Sequence, residues 1–216
     1  MTAHHPALPD RVAPGLDVLF VGINPGVRSA QLGHHFAGHS NRFWVLLRDV
    51  GLVPPEFGFV DDEQLPAMGL GITNLVARTT PGVADLKPAE LAAGRLVLLR
   101  KVHRLRPRIV ALVGVTVARA VQPFLRTAPV ELGVQSFAMH AARVFVLPNP
   151  SGRNAHFSYT AMRTAFANLA AAVRPEIRPG SDGDVRSEPG LVAGRASEVA
   201  SPGYTRSASG RSRGDR

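Results

Sequence analysis

The stretch DVLFVGINPG, residues 17–26, decides the fold. After Asp17 it runs through Val18, Leu19, Phe20, Val21, Gly22 and Ile23 without a polar side chain, then stops at Asn24-Pro25-Gly26. A short continuous apolar run closed by a Pro/Gly turn suits a strand buried on both faces. Comparable runs stand at 72–77, 109–114 and 143–147. Between them, 41–50, 88–105, 116–125 and 159–173 carry apolar residues at helical spacing. Pro88 falls in a first helical turn and Pro107 just past an end. Strand and helix alternate, which predicts an α/β sandwich with a largely parallel central sheet. There is no internal repeat.

The rest of the composition sets limits. With 216 residues, 45% of them hydrophobic, the chain supports one sizeable core. From Pro175 onward the character changes: 18 of the last 42 residues are Gly, Pro or Ser, and large apolar residues become scattered singles such as Leu191 and Tyr204. Such a segment buries too little surface to offset its ordering entropy. The expected organisation is a flexible N-terminus over 1–11, a catalytic domain over 12–174 and a disordered tail over 175–216.

The formal charge is +9, of which the tail carries only +1. The basic character therefore lies in the folded part and favours an anionic partner such as nucleic acid. Cysteine is absent, so disulfides, thiolate nucleophiles and Cys-ligated metal centres are excluded. No stretch reaches the roughly 18 apolar residues of a membrane span, and Met1 to Pro14 holds no signal-like apolar run. The expectation is a soluble, cytoplasmic protein.

In an open α/β sheet, ligands sit beyond the carboxyl ends of the strands. The polar segments that follow the predicted strands, 24–41, 74–82 and 149–156, are therefore the candidate site. Asn24 follows a strand and sits in a turn where Pro25 fixes one dihedral and Gly26 permits another. An amide there can hold a water but cannot take its proton, which restricts it to positioning. A turn residue with no chemistry fits this motif equally well. Gly33-His34-His35-Phe36-Ala37-Gly38 is a glycine-bracketed loop in which Phe36 can stack a flat base, or simply anchor the loop in the core.

His34, His35 and His39 invite a metal reading, with His35 and His39 at the four-residue spacing of a helical zinc site, but the flanking glycines oppose a helix and no nearby carboxylate adds a ligand, which favours hydrogen-bonding or solvated histidines. No metal and no cofactor are expected. Asn149-Pro150-Ser151-Gly152-Arg153-Asn154 combines a tight turn with amides and one long cation. It can enter a DNA groove with Arg153 filling the gap left by an extruded base, or serve as an ordinary polar loop. A serine-hydrolase role for Ser151 lacks the Gly-x-Ser-x-Gly elbow.

Five segments recur in order. They are Val21-Gly22-Ile23-Asn24-Pro25-Gly26, Gly33-His34-His35-Phe36, Asn41-Arg42-Phe43-Trp44, then Gly71 through Gly82, and Asn149-Pro150-Ser151-Gly152. Together they resemble the mismatch-specific uracil-DNA glycosylase and thymine-DNA glycosylase family, within the uracil-DNA glycosylase superfamily. The resemblance covers about residues 12–173. It implies that superfamily's three-layer α/β/α sandwich and hydrolysis of N-glycosidic bonds in double-stranded DNA. By it Asn24 corresponds to the catalytic asparagine and Thr80 to a threonine that helps hold the water. Asn41, Asn74, Ile23 and Ser151 fall in the base pocket, and Phe36 stands where the family stacks the flipped base. Gly152, Arg153 and Asn154 correspond to the wedge that contacts the widowed guanine, with Arg153 spaced from Phe157 as in the thymine-active branch.

The resemblance further implies a monomer of bacterial type, associated with the nucleoid through DNA and leaving an abasic site in base excision repair. Uracil opposite guanine is the expected substrate. Only Lys87 and Lys101 are present among lysines, and neither lies in a candidate segment, so no Schiff-base lyase step is expected. Two other functions compete: a non-catalytic mismatch-binding module on the same fold, and a nucleotide hydrolase on a Rossmann-like sheet. The second lacks the Gly-x-Gly-x-x-Gly phosphate loop.

Overall fold

The computed structural model describes residues 7–127 and 129–173; the expected tail over 175–216 lies outside them. The run after Asp17 forms strand β1, Val18–Gly22, with all five residues buried. It is followed by helices α1, Val27–Leu32, and α2, Phe43–Asp49, and by a 3-10 helix over Phe59–Met68. Then come β2, Leu70–Asn74, a 3-10 turn over Val83–Asp85, and α3, Pro88–Leu105. The chain continues with β3, Ile109–Val113, α4, Val115–Val121, a 3-10 turn over Pro123–Arg126, β4, Gly133–Met139, β5, Ala142–Leu147, and α5, Tyr159–Val173.

The five strands are ordered β2-β1-β3-β5-β4. Four are parallel and β4 runs antiparallel at the edge. Because strand side chains alternate, the sheet presents two apolar faces. Phe20, Ile72, Ala111 and Phe145 pack with α2, α5, Phe57 and Leu65 on one side. Leu19, Val21, Val110, Leu112 and Val144 pack with α3 and α4 on the other. The expected α/β sandwich is therefore present, with helices on both faces of a largely parallel sheet.

Three differences from the sequence reading have local causes. The strand expected at 72–77 is Leu70–Asn74. Leu75 and Val76 nevertheless keep donating to Gly22 O and Ile23 O, at 2.8 and 2.9 Å, so the pairing runs on past the strand. The helix expected over 116–125 ends at Val121, because Pro123 cannot continue it and instead opens a 3-10 turn. The third is β4. Its apolar Val134 and Ala138 face solvent while Gln135 is half-buried, so the alternation that marks an edge strand is scrambled in hydropathy.

The switch in winding direction puts a crevice beside β1, at the carboxyl ends of β1, β2, β3 and β5, where the fold class places ligands. No helix among the described residues is long and apolar enough to cross a membrane.

Candidate active site

The loops at this end of the sheet enclose a cleft of about 930 Å³. Eight of the ten predicted site residues line it: Ile23, Asn24, Phe36, Asn41, Asn74, Thr80, Ser151 and Arg153. The other two, Gly152 and Asn154, are turned to other tasks.

Asn24 sits two residues beyond the end of β1, and three acceptors converge on one end of its amide. Pro25 O and Arg78 O lie at 3.1 Å and Thr80 Oγ1 at 2.7 Å. Two of the three are carbonyl oxygens, which only accept, so that end is Nδ2, its two hydrogens shared among the three. Oδ1 is left without a protein partner among the described residues. Thr80 is buried, and its hydroxyl donates to Gly82 O at 2.6 Å while accepting from Asn24. Its proton is thus committed within the protein, and its influence on the cleft passes through Asn24.

Phe36 has φ of 52°, in the left-handed region that bulky residues rarely occupy. Its ring stacks on Phe43 at 4.0 Å and 20°. The core reading and the base-platform reading of Phe36 are therefore compatible, since the ring backs onto the core cluster and also lines the cleft. The strained loop is held from several sides. Arg28 Nε donates to Ala37 O at 2.8 Å, Ser29 Oγ accepts Ala37 N–H at 3.1 Å, and Trp44 Nε1 donates to His35 O at 3.0 Å. Asp62, fully buried, accepts from His35 N–H at 2.8 Å and lies 3.0 Å from His34 Nδ1 and from Arg11 Nε.

Asn41 Oδ1 accepts the Phe43 N–H at 2.9 Å, which supports the start of α2 and leaves the Asn41 NH₂ without a partner among the described residues. Asn74 pairs in register with Gly22. A Cβ on Gly22 would stand 2.6 Å from Asn74 Oδ1, so only glycine lets the Asn74 amide lie across β1. Ser151 N–H and Asn154 Nδ2 bond back to Asn149, and Asn154 Oδ1 accepts His156 N–H, which folds the 149–156 loop on itself. Asn154, expected to contact the guanine, thus spends its amide on the loop. Gly152 packs on Ser40, where a Cβ would meet Ser40 Cβ at 2.4 Å. Pro150 O accepts Arg42 N–H at 2.9 Å, tying this loop to the base-pocket segment. Arg153 is exposed, and its guanidinium has no partner among the described residues.

Sequence reasoning, which weighed His35 only as a metal ligand or as a hydrogen-bonding or solvated histidine, gave it no place in the site. It is buried, and Nε2 lies 2.9 Å from Pro9 O. A carbonyl only accepts, so Nε2 carries the proton and Nδ1 faces Asn74 Nδ2 at 3.5 Å. Burial holds the imidazole below its ordinary value of 6.5, and it is neutral at physiological pH. Below pH 6.5 the unfolded chain binds a proton that the folded chain resists, so stability is full above that pH and declines as pH falls toward the lowered folded value. Urea unfolding between pH 7.5 and 5.5 is expected to show this loss, with a shallower slope in His35→Gln, whose amide can still donate to Pro9 O.

Among the described residues no Asp or Glu lines the cleft; Arg28 and Arg153 do, with His39, amides, hydroxyls, backbone and the neutral His35 imidazole. Among the described residues, no three His, Asp or Glu side chains stand close enough to hold a metal ion. Such a site can place a water and favour negative charge on a bound group, but it offers no strong base.

A model of the uracil DNA glycosylase superfamily matches residues 9–171. A G/U mismatch-specific uracil DNA glycosylase of Schizosaccharomyces pombe is 43% identical over 104 residues, which is 47% of this chain and 32% of the relative. The matched region thus spans about a third of that curated relative's length. A candidate uracil DNA glycosylase from Methanosarcina acetivorans, solved by solution NMR, superposes with a TM-score of 0.54 at 17% identity, covering 77% of this chain and 97% of that one. At that identity the likeness is one of fold.

Proposed function

The chain belongs to the uracil DNA glycosylase superfamily, and on that premise we propose that it hydrolyses the N-glycosidic bond of uracil opposite guanine in double-stranded DNA, leaving an abasic site. The observation that carries the reading is the Asn24 amide, held at its NH₂ end by three acceptors and, among the described residues, free at Oδ1 in a cleft that no Asp or Glu lines.

In this reading the target nucleotide leaves the helix and its base stacks on Phe36. The NH₂ groups of Asn41 and Asn74 meet its polar edge, with Ile23 and Ser151 completing the pocket. Asn24 Oδ1 accepts a hydrogen from a water and aims its oxygen at C1′; Thr80 keeps that amide from rotating. The C1′–N1 bond breaks with its electrons leaving on the pyrimidine, which departs as an anion. Water oxygen bonds to C1′, and its surplus proton passes to the departing base or to solvent. Because the sugar develops oxocarbenium character first, no strong base is needed.

A neutral positioning group makes the rate depend on the leaving group, so uracil is preferred to thymine, whose methyl group makes it a poorer leaving group. Arg153 extends from the 149–156 loop with its guanidinium free to fill the vacated stack, as a wedge would. Lys101 is engaged with Asp10 at 2.6 Å, and neither lysine lines the cleft, so the activity is monofunctional. The basic surface contributes phosphate contacts whose strength falls with salt.

Extruding a base costs a few kcal/mol and least at a mismatch. With tenfold in rate for every 1.4 kcal/mol, uracil opposite guanine is expected to be released at least about tenfold faster than uracil opposite adenine. The measurement is base release from matched duplexes carrying G·U, A·U and G·T. Equal rates on G·U and A·U would overturn the mismatch preference.

A further inference from the structure

Two of the three acceptors around the Asn24 amide, Arg78 O and Thr80 Oγ1, belong to the segment that follows β2. That segment has little apolar anchorage. Between Val76 and Leu86 only Thr80 is buried. What ties it down is polar. Arg78 Nε and one terminal nitrogen grip the two oxygens of Glu90 at 2.6 and 2.9 Å, in a bidentate pair. The same terminal nitrogen donates to Asp85 O at 2.8 Å, and Gly82 N–H donates to Asp85 Oδ2 at 3.0 Å. The Arg78 side chain therefore bridges both ends of the 78–85 segment to the first turn of α3.

Glu90 is itself rigidly placed. It accepts Lys87 N–H at 2.8 Å, capping α3. Four residues on, and so on the same face of the helix, Gly94 approaches so closely that a Cβ there would stand 2.2 Å from Leu75 O. Thus α3 is packed directly against the end of β2, and Glu90 is one turn from that contact. The bidentate pairing also holds the Glu90 carboxyl well below its ordinary value, at about 2.

We infer that Glu90 is a positioning residue for the reaction, acting through Arg78 to hold the Arg78 and Thr80 oxygens against the Asn24 amide. An isolated exposed ion pair contributes little to stability. Here its effect is local: it fixes where Oδ1 points. The inference rests on the glycosylase reading for its effect on rate, but not for its effect on the amide.

The test is Glu90→Gln, which keeps an oxygen for Lys87 N–H and so preserves the cap while losing the charge and the bidentate grip. Arg78→Ala is the second variant and leaves the α3 cap untouched. Both are expected to lower the saturating single-turnover rate on a G·U duplex by about ten- to a hundredfold, the scale of a small misplacement of a reacting group. The enzyme concentration for half-saturation should move less than twofold and the melting temperature only slightly. In an Asn24→Ala background, Glu90→Gln should have no further effect.

An unchanged rate would overturn the inference, as would an equal rate loss in the wild-type and Asn24→Ala backgrounds. A second measurement does not depend on activity. The Asn24 side-chain NH₂ resonances should be shielded from exchange in the wild-type protein and should shift and exchange faster in both variants. If they do not change, Glu90 does not position Asn24, even should the wild-type protein release uracil. If they change and the wild-type protein releases none, the positioning stands and the glycosylase reading falls.

Discussion

Asn24→Ala is expected to slow release of uracil from a G·U duplex by about 10²–10⁴-fold, the range over which a positioned group that directs a water contributes. The reason is geometric. In the wild-type protein the Asn24 NH₂ is saturated by Pro25 O, Arg78 O and Thr80 Oγ1, and Oδ1 alone is left for a water. Alanine removes that acceptor and adds no group that can replace it, since no Asp or Glu among the described residues lines the cleft. Asn24 is half-buried and lies outside the sheet's core, so the fold should survive and binding to the duplex should change little. Single-turnover kinetics beside a binding titration separate the two. A rate within threefold of wild type would take Asn24 out of the reaction.

The second large effect is on stability. Asp62 is fully buried and accepts from Arg11 Nε, His34 Nδ1 and the His35 N–H, while Arg11 also reaches Gly33 O at 3.1 Å. One carboxylate therefore joins the 3-10 helix over Phe59–Met68, the chain before β1 and the loop that carries Phe36. Asp62→Ala leaves the largely buried Arg11 with Glu63, whose side chain is 69% exposed, as its remaining acidic partner. It also leaves a buried N–H without an acceptor. Breaking a buried pair in this way costs about 3–5 kcal/mol. Urea unfolding should register it as a lower midpoint, and a loss under about 1 kcal/mol would show the network to be dispensable.

The cleft was legible in the sequence to the extent that turns and strands mark it. DVLFVGINPG gives both a buried strand and its sharp exit, and that fixes Asn24 at the carboxyl end of β1. Parallel pairing then brings Asn74 level with Gly22. Less legible was what each side chain does. Thr80 read as a partner of the water, yet its hydroxyl is engaged with Asn24 and Gly82. Asn154 read as a DNA contact, yet it braces its own loop. Short polar side chains can bond to backbone or to ligand, and composition does not distinguish the two.

Asp62 and Glu90 were missed for a related reason. Both are acids whose role comes from partners distant in the chain, 51 residues for Arg11 and 12 for Arg78. Asp62 also sits in a 3-10 helix whose sequence, FVDDEQLPAM, has no 3.6-residue apolar spacing to announce it.

All of this turns on whether the cleft breaks a glycosidic bond or only holds a mismatch. The decisive measurement is made on the wild-type protein in excess over a G·U duplex, with free base and duplex mobility followed in the same samples. Free uracil is expected in one-to-one yield with alkali-labile abasic sites at the uracil position. A shifted duplex that releases no uracil would contradict it.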